Sequence, residues 1–297
     1  MNNQESISAL KNIGHILDQD LGVSVYNSGI VKPSDAPVIS PKMGKVKSNA
    51  QSRPRRPETR EREWPATWQR QTNRSRAPGK APSIISSTLR HAYESQIDEI
   101  QNAYPGTKAW RQAEGMWLVV ESSVLPGLDK QAIFLLAIPY ILGKPVKAWG
   151  FWRSAISTEW IGPRHTNYGE GSICAFDPAD GTWLPGDDLV SLIDLYTLWA
   201  LRHEHLSVFG RWPGHQHVPF PFERLTEFND DELCGCENSG TLYKDCCKSH
   251  DLALNFAQEY VSHWTNVSGM RLRTPPESIM KFAWALDKPP LLHDLFS

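Results

Sequence analysis

Five cysteines carry most of the chemistry this chain can offer, and they fall into two groups. Four lie within the fourteen residues "CGCENSGTLYKDCC", from Cys234 to Cys247. The pattern is Cys-x-Cys, nine intervening residues, then Cys-Cys. Four thiolates in so short a loop can close a tetrahedral zinc site, with Ser239-Gly240 supplying the turn. Cys234, Cys236, Cys246 and Cys247 are the candidate Zn2+ ligands, and His250 is the substitute should one of them not take part. Disulfides are the alternative. Four clustered cysteines in a reducing compartment point to metal first.

The fifth, Cys174, sits in "HTNYGEGSICAFDPADGTWLP", residues 165–185. Three readings are open: a buried small hydrophobe, a metal ligand or a nucleophile. A lone cysteine in "SICAF" reads by itself as core. A catalytic thiolate needs exposure, a site that tolerates its charge and donors for a tetrahedral intermediate. The surrounding loop is rich in glycine (Gly169, Gly171, Gly181) and proline (Pro163, Pro178, Pro185), so backbone amides can turn inward. Asn167 can offer a side-chain N–H to an oxyanion. His165 suits acid–base chemistry or holding the backbone by hydrogen bonds.

The order His165-Thr166-Asn167, then Gly171-Ser172-Ile173-Cys174, then Trp183-Leu184-Pro185 before a helix resembles ubiquitin-conjugating (E2) enzymes. Those carry His-Pro-Asn, Gly-x-Ile-Cys with the acceptor cysteine, and Trp-x-Pro. In this chain Thr166 replaces the proline, and the His-to-Cys spacing is one residue shorter. The chain also looks like the bacterial E2-like proteins of type II CBASS anti-phage operons. The resemblance implies an E2/UBC-like fold in which Cys174 is the thioester-forming catalytic residue, with Asn167 and His165 beside it. It also implies two partners: an E1-like activating enzyme, and a cGAS-like nucleotidyltransferase or ubiquitin-like protein. The four-cysteine run is similar to the SEC-C motif, with Ser239, Gly240 and Tyr243 matching in type and one extra residue between Cys236 and Cys246. That likeness implies an accessory module for binding macromolecules.

The elements that must position these residues read as α+β. Leu89, Tyr93, Ile97, Ile100 and Tyr104 form one apolar helical stripe, with Ser86 or Ser87 as N-cap. Strand-like runs follow at Met116–Val124, Gln131–Tyr140 and Val146–Trp152. Their short gaps require an antiparallel meander, since parallel strands need long crossovers. After the Cys174 loop, Asp187 or Asp188 opens a long helix that Gly210 ends. This gives an E2-like domain over 84–225, a zinc knuckle over 230–250 and a helical tail over 251–297, which can cover either of the two.

Residues 1–83 are expected to be a disordered arm, apart from an amphipathic segment around Ile7–Leu21. Within it, twelve basic side chains stand against three acidic ones (Glu58, Glu61, Glu63) between Lys42 and Lys80, although the whole chain carries a formal charge of -2. Such a block is a solvated linker or a contact for nucleic acid or an acidic partner. No apolar run is long enough to cross a bilayer, so a cytoplasmic protein without membrane contact is expected. Three rival functions remain: a non-catalytic E2-fold scaffold, a zinc-dependent nucleic-acid or ribosome adapter, and a cysteine hydrolase using Cys174 with His165.

Overall fold

The computed structural model describes residues 3–19, 23–25, 31–33, 84–122, 131–154, 156–176, 182–218, 220–236, 240–265 and 273–296. The basic block 42–80 lies outside the described residues. The arm is not structureless throughout. Helix α1 (Asn3–Asp18), which overlaps the amphipathic segment around Ile7–Leu21, buries Leu10, Ile13 and Leu17 against Leu201. Two short strands, β1 (Val23–Val25) and β2 (Val31–Pro33), pair antiparallel behind it.

The stripe from Leu89 to Tyr104 folds as two helices, α2 (Ser87–Glu94) and α3 (Ile97–Ala103), with a break at Ser95-Gln96. Ser86 caps α2 by accepting from the Leu89 amide at 3.2 Å. The broken stripe still faces one way: Tyr93, Ile97, Ile100 and Tyr104 are all buried.

A five-stranded antiparallel meander follows in the order β3 (Lys108–Gln112), β4 (Gly115–Glu121), β5 (Gln131–Pro139), β6 (Lys147–Arg153) and β7 (Thr158–Trp160). Three of these strands match the expected runs. The two edge strands are additions: β3 is short and largely polar, and β7 has only three residues, so neither carries an apolar run. β5 is buried along nearly its whole length because both faces of the sheet are covered. Ala132, Phe134, Leu136 and Ile138 meet the helices α2, α3 and α4 (Leu189–Phe209). Ile133, Leu135 and Ala137 meet α8 (Glu277–Ala285) and α9 (Leu292–Phe296) through Ile279, Phe282, Leu292 and Phe296. The tail therefore covers the sheet. Each large side chain buried this way contributes roughly 1.5–3 kcal/mol.

Between these come α5 (Pro221–Glu227), a 3-10 turn (Tyr243–Asp245), α6 (Lys248–Ala253) and α7 (Phe256–His263). No helix among the described residues is long and apolar enough to cross a membrane.

Helix α4 begins at Asp188, whose carboxylate accepts from the amides of Val190 and Ser191, and ends at Gly210 in the left-handed region (φ 70°). Partial burial opposes the Asp188 charge, but hydrogen bonds from Ser191 and Val190 outweigh it and hold the carboxyl below its ordinary value of 3.8. Asp188→Ala is expected to cost about 1 kcal/mol in urea denaturation. Because the folded-state value is depressed, this contribution is present at neutral pH and fades as pH falls through that value.

Candidate functional site

After β7 the chain folds into a tight hairpin that presents Cys174. Thr166 and Ile173 form a single antiparallel bridge. The Asn167 amide donates to the Ser172 carbonyl (2.7 Å), and the Cys174 amide donates to the His165 carbonyl (2.8 Å). Ile173 donates to Ala148 at 2.7 Å, which fixes the hairpin to β6. Thr166, Ser172 and Ile173 are buried, whereas Asn167 and Cys174 are exposed. The buried run ends at Ile173, and the next residue, Cys174, is exposed, so the cysteine within "SICAF" is not core.

The exposed hairpin is anchored at both ends. Trp183 is buried, and its Nε1 donates to the Asp188 carbonyl at 2.8 Å. The following turn docks on the first helices, because the Gly186 amide donates to the Tyr93 hydroxyl and the Leu189 amide to Gln96 Oε1. At the hairpin tip, Gly171 has φ +62°, and a Cβ there would lie 2.7 Å from Pro275 N and Thr274 C. Residues 273–276 therefore lie directly across the hairpin, and only glycine permits that approach.

His165 and Asn167 both have partners. His165 Nε2 donates to Gln216 Oε1 (3.2 Å), and its ring packs 4.7 Å from Trp212. Burial, followed by the Arg164 charge, pushes its pKa down to about 3, so it is neutral at physiological pH. Asn167 Nδ2 donates to Ser172 Oγ at 3.0 Å, and Ser172 donates on to Glu170.

Buried charges surround the hairpin. Arg164 binds Glu232 through both terminal guanidinium nitrogens, one of them 2.9 Å from Oε1. Arg273 stacks over Tyr168 at 3.9 Å and pairs with Glu223 and with Glu227 (2.6 Å). The Tyr168 hydroxyl donates to Glu223 and accepts from His263 Nε2. Cys174 is within electrostatic reach of Tyr196 on α4 and of Arg273. Burial raises the Tyr196 hydroxyl above its ordinary value and lowers Arg273, against which Tyr168 and then Cys174 act in the opposite direction.

The Arg164 carbonyl accepts from Trp199 Nε1 (3.2 Å) and His203 Nε2 (2.8 Å). Burial pushes His203 from 6.5 to about 4. The unfolded chain therefore takes up a proton at this residue first as pH falls, and His203 disfavours the folded state progressively between 6.5 and about 4. His203→Asn is expected to flatten that part of the stability-versus-pH curve, measured by urea denaturation from pH 7 to 4.

The second cluster is compact. The ligand atoms of Cys234, Cys236, Cys246 and Cys247 all lie within 4.8 Å of one another, and no disulfide joins any of the five cysteines. Sγ separations are 3.5 Å for Cys236–Cys246 and 3.8 Å for Cys246–Cys247. A tetrahedral thiolate site with metal–sulfur bonds near 2.3 Å has edges of ~3.8 Å, so the four cysteines can hold a metal ion. Backbone bonds from Cys234 to Thr241 and from Tyr243 to Glu232 close the loop, together with the Leu233–Leu242 bridge. His250 is not part of the cluster; its Nδ1 lies 3.4 Å from Asp251 Oδ1.

The structure links the two cysteine groups through residues that sequence spacing did not single out: Arg164, Gln216 and Glu232. A charged residue just ahead of "HTN" was visible, but its partner lies 68 positions away and no local pattern marks it. Compared with known proteins, the chain matches no family model, no curated protein and no solved structure, which leaves the two sites themselves as the guide to function.

Proposed function

We propose that the chain is an E2-like acyl carrier with a zinc knuckle, acting in bacterial anti-phage defence of the CBASS type. The observation that carries this reading is the exposed Cys174, at the end of a hairpin followed by the buried Trp183, its turn and helix α4. The helix–meander–hairpin–helix order supports it. The Cys174 sulfur attacks the carbonyl of a thioester held by an E1-like activating enzyme. A new C–S bond forms, and the enzyme's thiolate leaves. An amine, a lysine of the target, then attacks this thioester, forming a C–N bond as Cys174 departs as thiolate and the nitrogen's proton passes to solvent. A thiolate both attacks and leaves well, so one hard acylation becomes two easier ones. The partner is a cGAS-like nucleotidyltransferase or a ubiquitin-like protein.

Zinc is the proposed occupant of the four-cysteine cluster, held by Cys234, Cys236, Cys246 and Cys247. A closed four-thiolate set leaves no open position, so the ion supplies a cross-link and no catalysis.

The test is to mix the protein with its candidate activating enzyme, ATP and partner, and to run gels with and without reductant. The expected result is a reductant-sensitive adduct that Cys174→Ala abolishes and Cys174→Ser converts into a reductant-resistant ester. No adduct with a competent activating enzyme overturns the reading. A second reading, an adapter for nucleic acid or the ribosome, is favoured by the exposed Leu252, Phe256, Tyr260 and Val261 on the helices that follow the four-cysteine loop in the chain. It predicts salt-steep nucleic-acid binding that is lost when residues 42–80 are deleted.

A further inference from the structure

We propose that Glu232 is a positioning residue for Cys174: it carries the state of the four-cysteine cluster to the hairpin through Arg164 and Gln216. The inference rests on the reading of Cys174 as the acyl acceptor, but the linkage itself is a matter of named bonds.

Glu232 lies two residues before Cys234, and its carbonyl accepts from the Tyr243 amide (2.8 Å) inside the four-cysteine loop. Its carboxylate is fully buried. One oxygen accepts from Arg164 and from the Trp212 amide, each at 2.9 Å; the other accepts from Arg164 and from Gln216 Nε2 (3.2 Å). Gln216 forms a parallel bridge. Its Nε2 also donates to the Leu233 carbonyl (3.1 Å), and its Oε1 accepts from Arg164 and from His165. The Arg164 guanidinium is held over the rings of Phe228 (4.8 Å) and Trp212 (5.5 Å). The next carbonyl along the chain, that of His165, receives the Cys174 amide. Four steps therefore connect a cysteine of the cluster to the exposed cysteine: Cys234 to Glu232 along the chain, Glu232 to Arg164 by a buried ion pair, Arg164 to His165 along the chain, and His165 to Cys174 by a backbone bond.

This path exists only while the four-cysteine loop is folded. The loop's own core is small, consisting of Val218, Phe228, Cys234 and Tyr243 with the remaining cysteines packed on it. So small a core depends on an added cross-link, which bound metal supplies. A buried carboxylate keeps its place only while its partners are fixed, so loosening the loop frees the Arg164 side chain, leaves that residue held only through its carbonyl by Trp199 and His203, and loosens the turn that holds Cys174.

The test is hydrogen exchange on the full zinc-loaded chain, with no activating enzyme present, so it can fail independently of the acyl-carrier reading. Removing zinc with a chelator, or making Glu232→Gln, should speed exchange of the Asn167, Ile173 and Cys174 amides by about tenfold or more while the β4–β5 amides stay protected. The two perturbations combined should do no more than either alone, because they cut one path. Restoring zinc should re-protect the hairpin in the wild type but not in Glu232→Gln, although the variant binds metal and its cobalt-substituted form shows an unchanged thiolate absorption. Unchanged hairpin protection in either case overturns the proposal. So does loss of sheet protection along with the hairpin, which would make the metal a support of the whole fold. Should Glu232→Gln not fold, Gln216→Ala must give the same uncoupling, and unchanged protection there also overturns the proposal.

Discussion

Cys234→Ser is expected to abolish stoichiometric metal binding and to unfold the chain from Asp230 to His250. Cys234 is the most buried of the four cysteines, packed among Val218, Phe228 and Tyr243, so its sulfur is both ligand and core. A hydroxyl there is a poor ligand and a polar group in an apolar setting. Metal binding at a closed thiolate site of this kind is worth about 10–16 kcal/mol, far more than the small core beneath it can replace. Burial, reinforced by the neighbouring cysteines, pushes the Cys246 thiol up to about 11 and the Cys247 thiol higher still. Without a cation these groups are neutral thiols, so binding must release protons and affinity should fall as pH drops. Metal content by atomic emission, together with limited proteolysis of 230–250, checks the result. Full metal occupancy in Cys234→Ser would mean that three cysteines suffice.

The other large effect concerns Arg224 and Asp251. Arg224 Nε and one terminal nitrogen donate to the two Asp251 oxygens at 2.8 and 2.7 Å, and the other terminal nitrogen donates to the Val218 carbonyl at 2.9 Å. Burial works against the Arg224 charge, but the hydrogen bonds and charge of Asp251 outweigh it and raise its pKa. Asp251 is fully buried and also accepts from the Tyr243 hydroxyl. Arg224→Met leaves that carboxylate without the guanidinium that bonds both of its oxygens. Breaking a buried pair from one side costs about 3–5 kcal/mol, so the variant should lose that much in urea denaturation. Arg224→Met combined with Asp251→Leu should regain most of it, because no charge remains to be buried. If the double variant is as unstable as the single one, packing around α5 and α6 outweighs the ion pair.

The parts of this protein that were legible in its sequence are those governed by short-range rules. A serine before an apolar stripe, an aspartate before a long apolar helix and a glycine after it gave α2 and α4 their ends, because capping depends on neighbours in the chain. Continuous apolar runs gave β4, β5 and β6. The break between α2 and α3 was not legible, since the apolar spacing continues through it. The four-cysteine cluster was readable because all its ligands share fourteen residues. The ion pairs Arg164–Glu232 and Arg273–Glu223 were not, because each joins residues at least fifty positions apart. The exposure of Cys174 was not legible either, because it depends on the hairpin around Thr166 and Ile173, where the buried run ends at Ile173.

The covering of both sheet faces bears on how the chain is made. Trp117, Trp149, Ile133 and Leu135 form an apolar surface closed by residues made well after the sheet, those of α8 and α9. While the chain is still being synthesised, or after cleavage ahead of Glu277, that surface meets water and other chains, and exposed apolar area of this kind drives aggregation. A chain cut ahead of Glu277 should accumulate in inclusion bodies even though every residue of both cysteine groups remains.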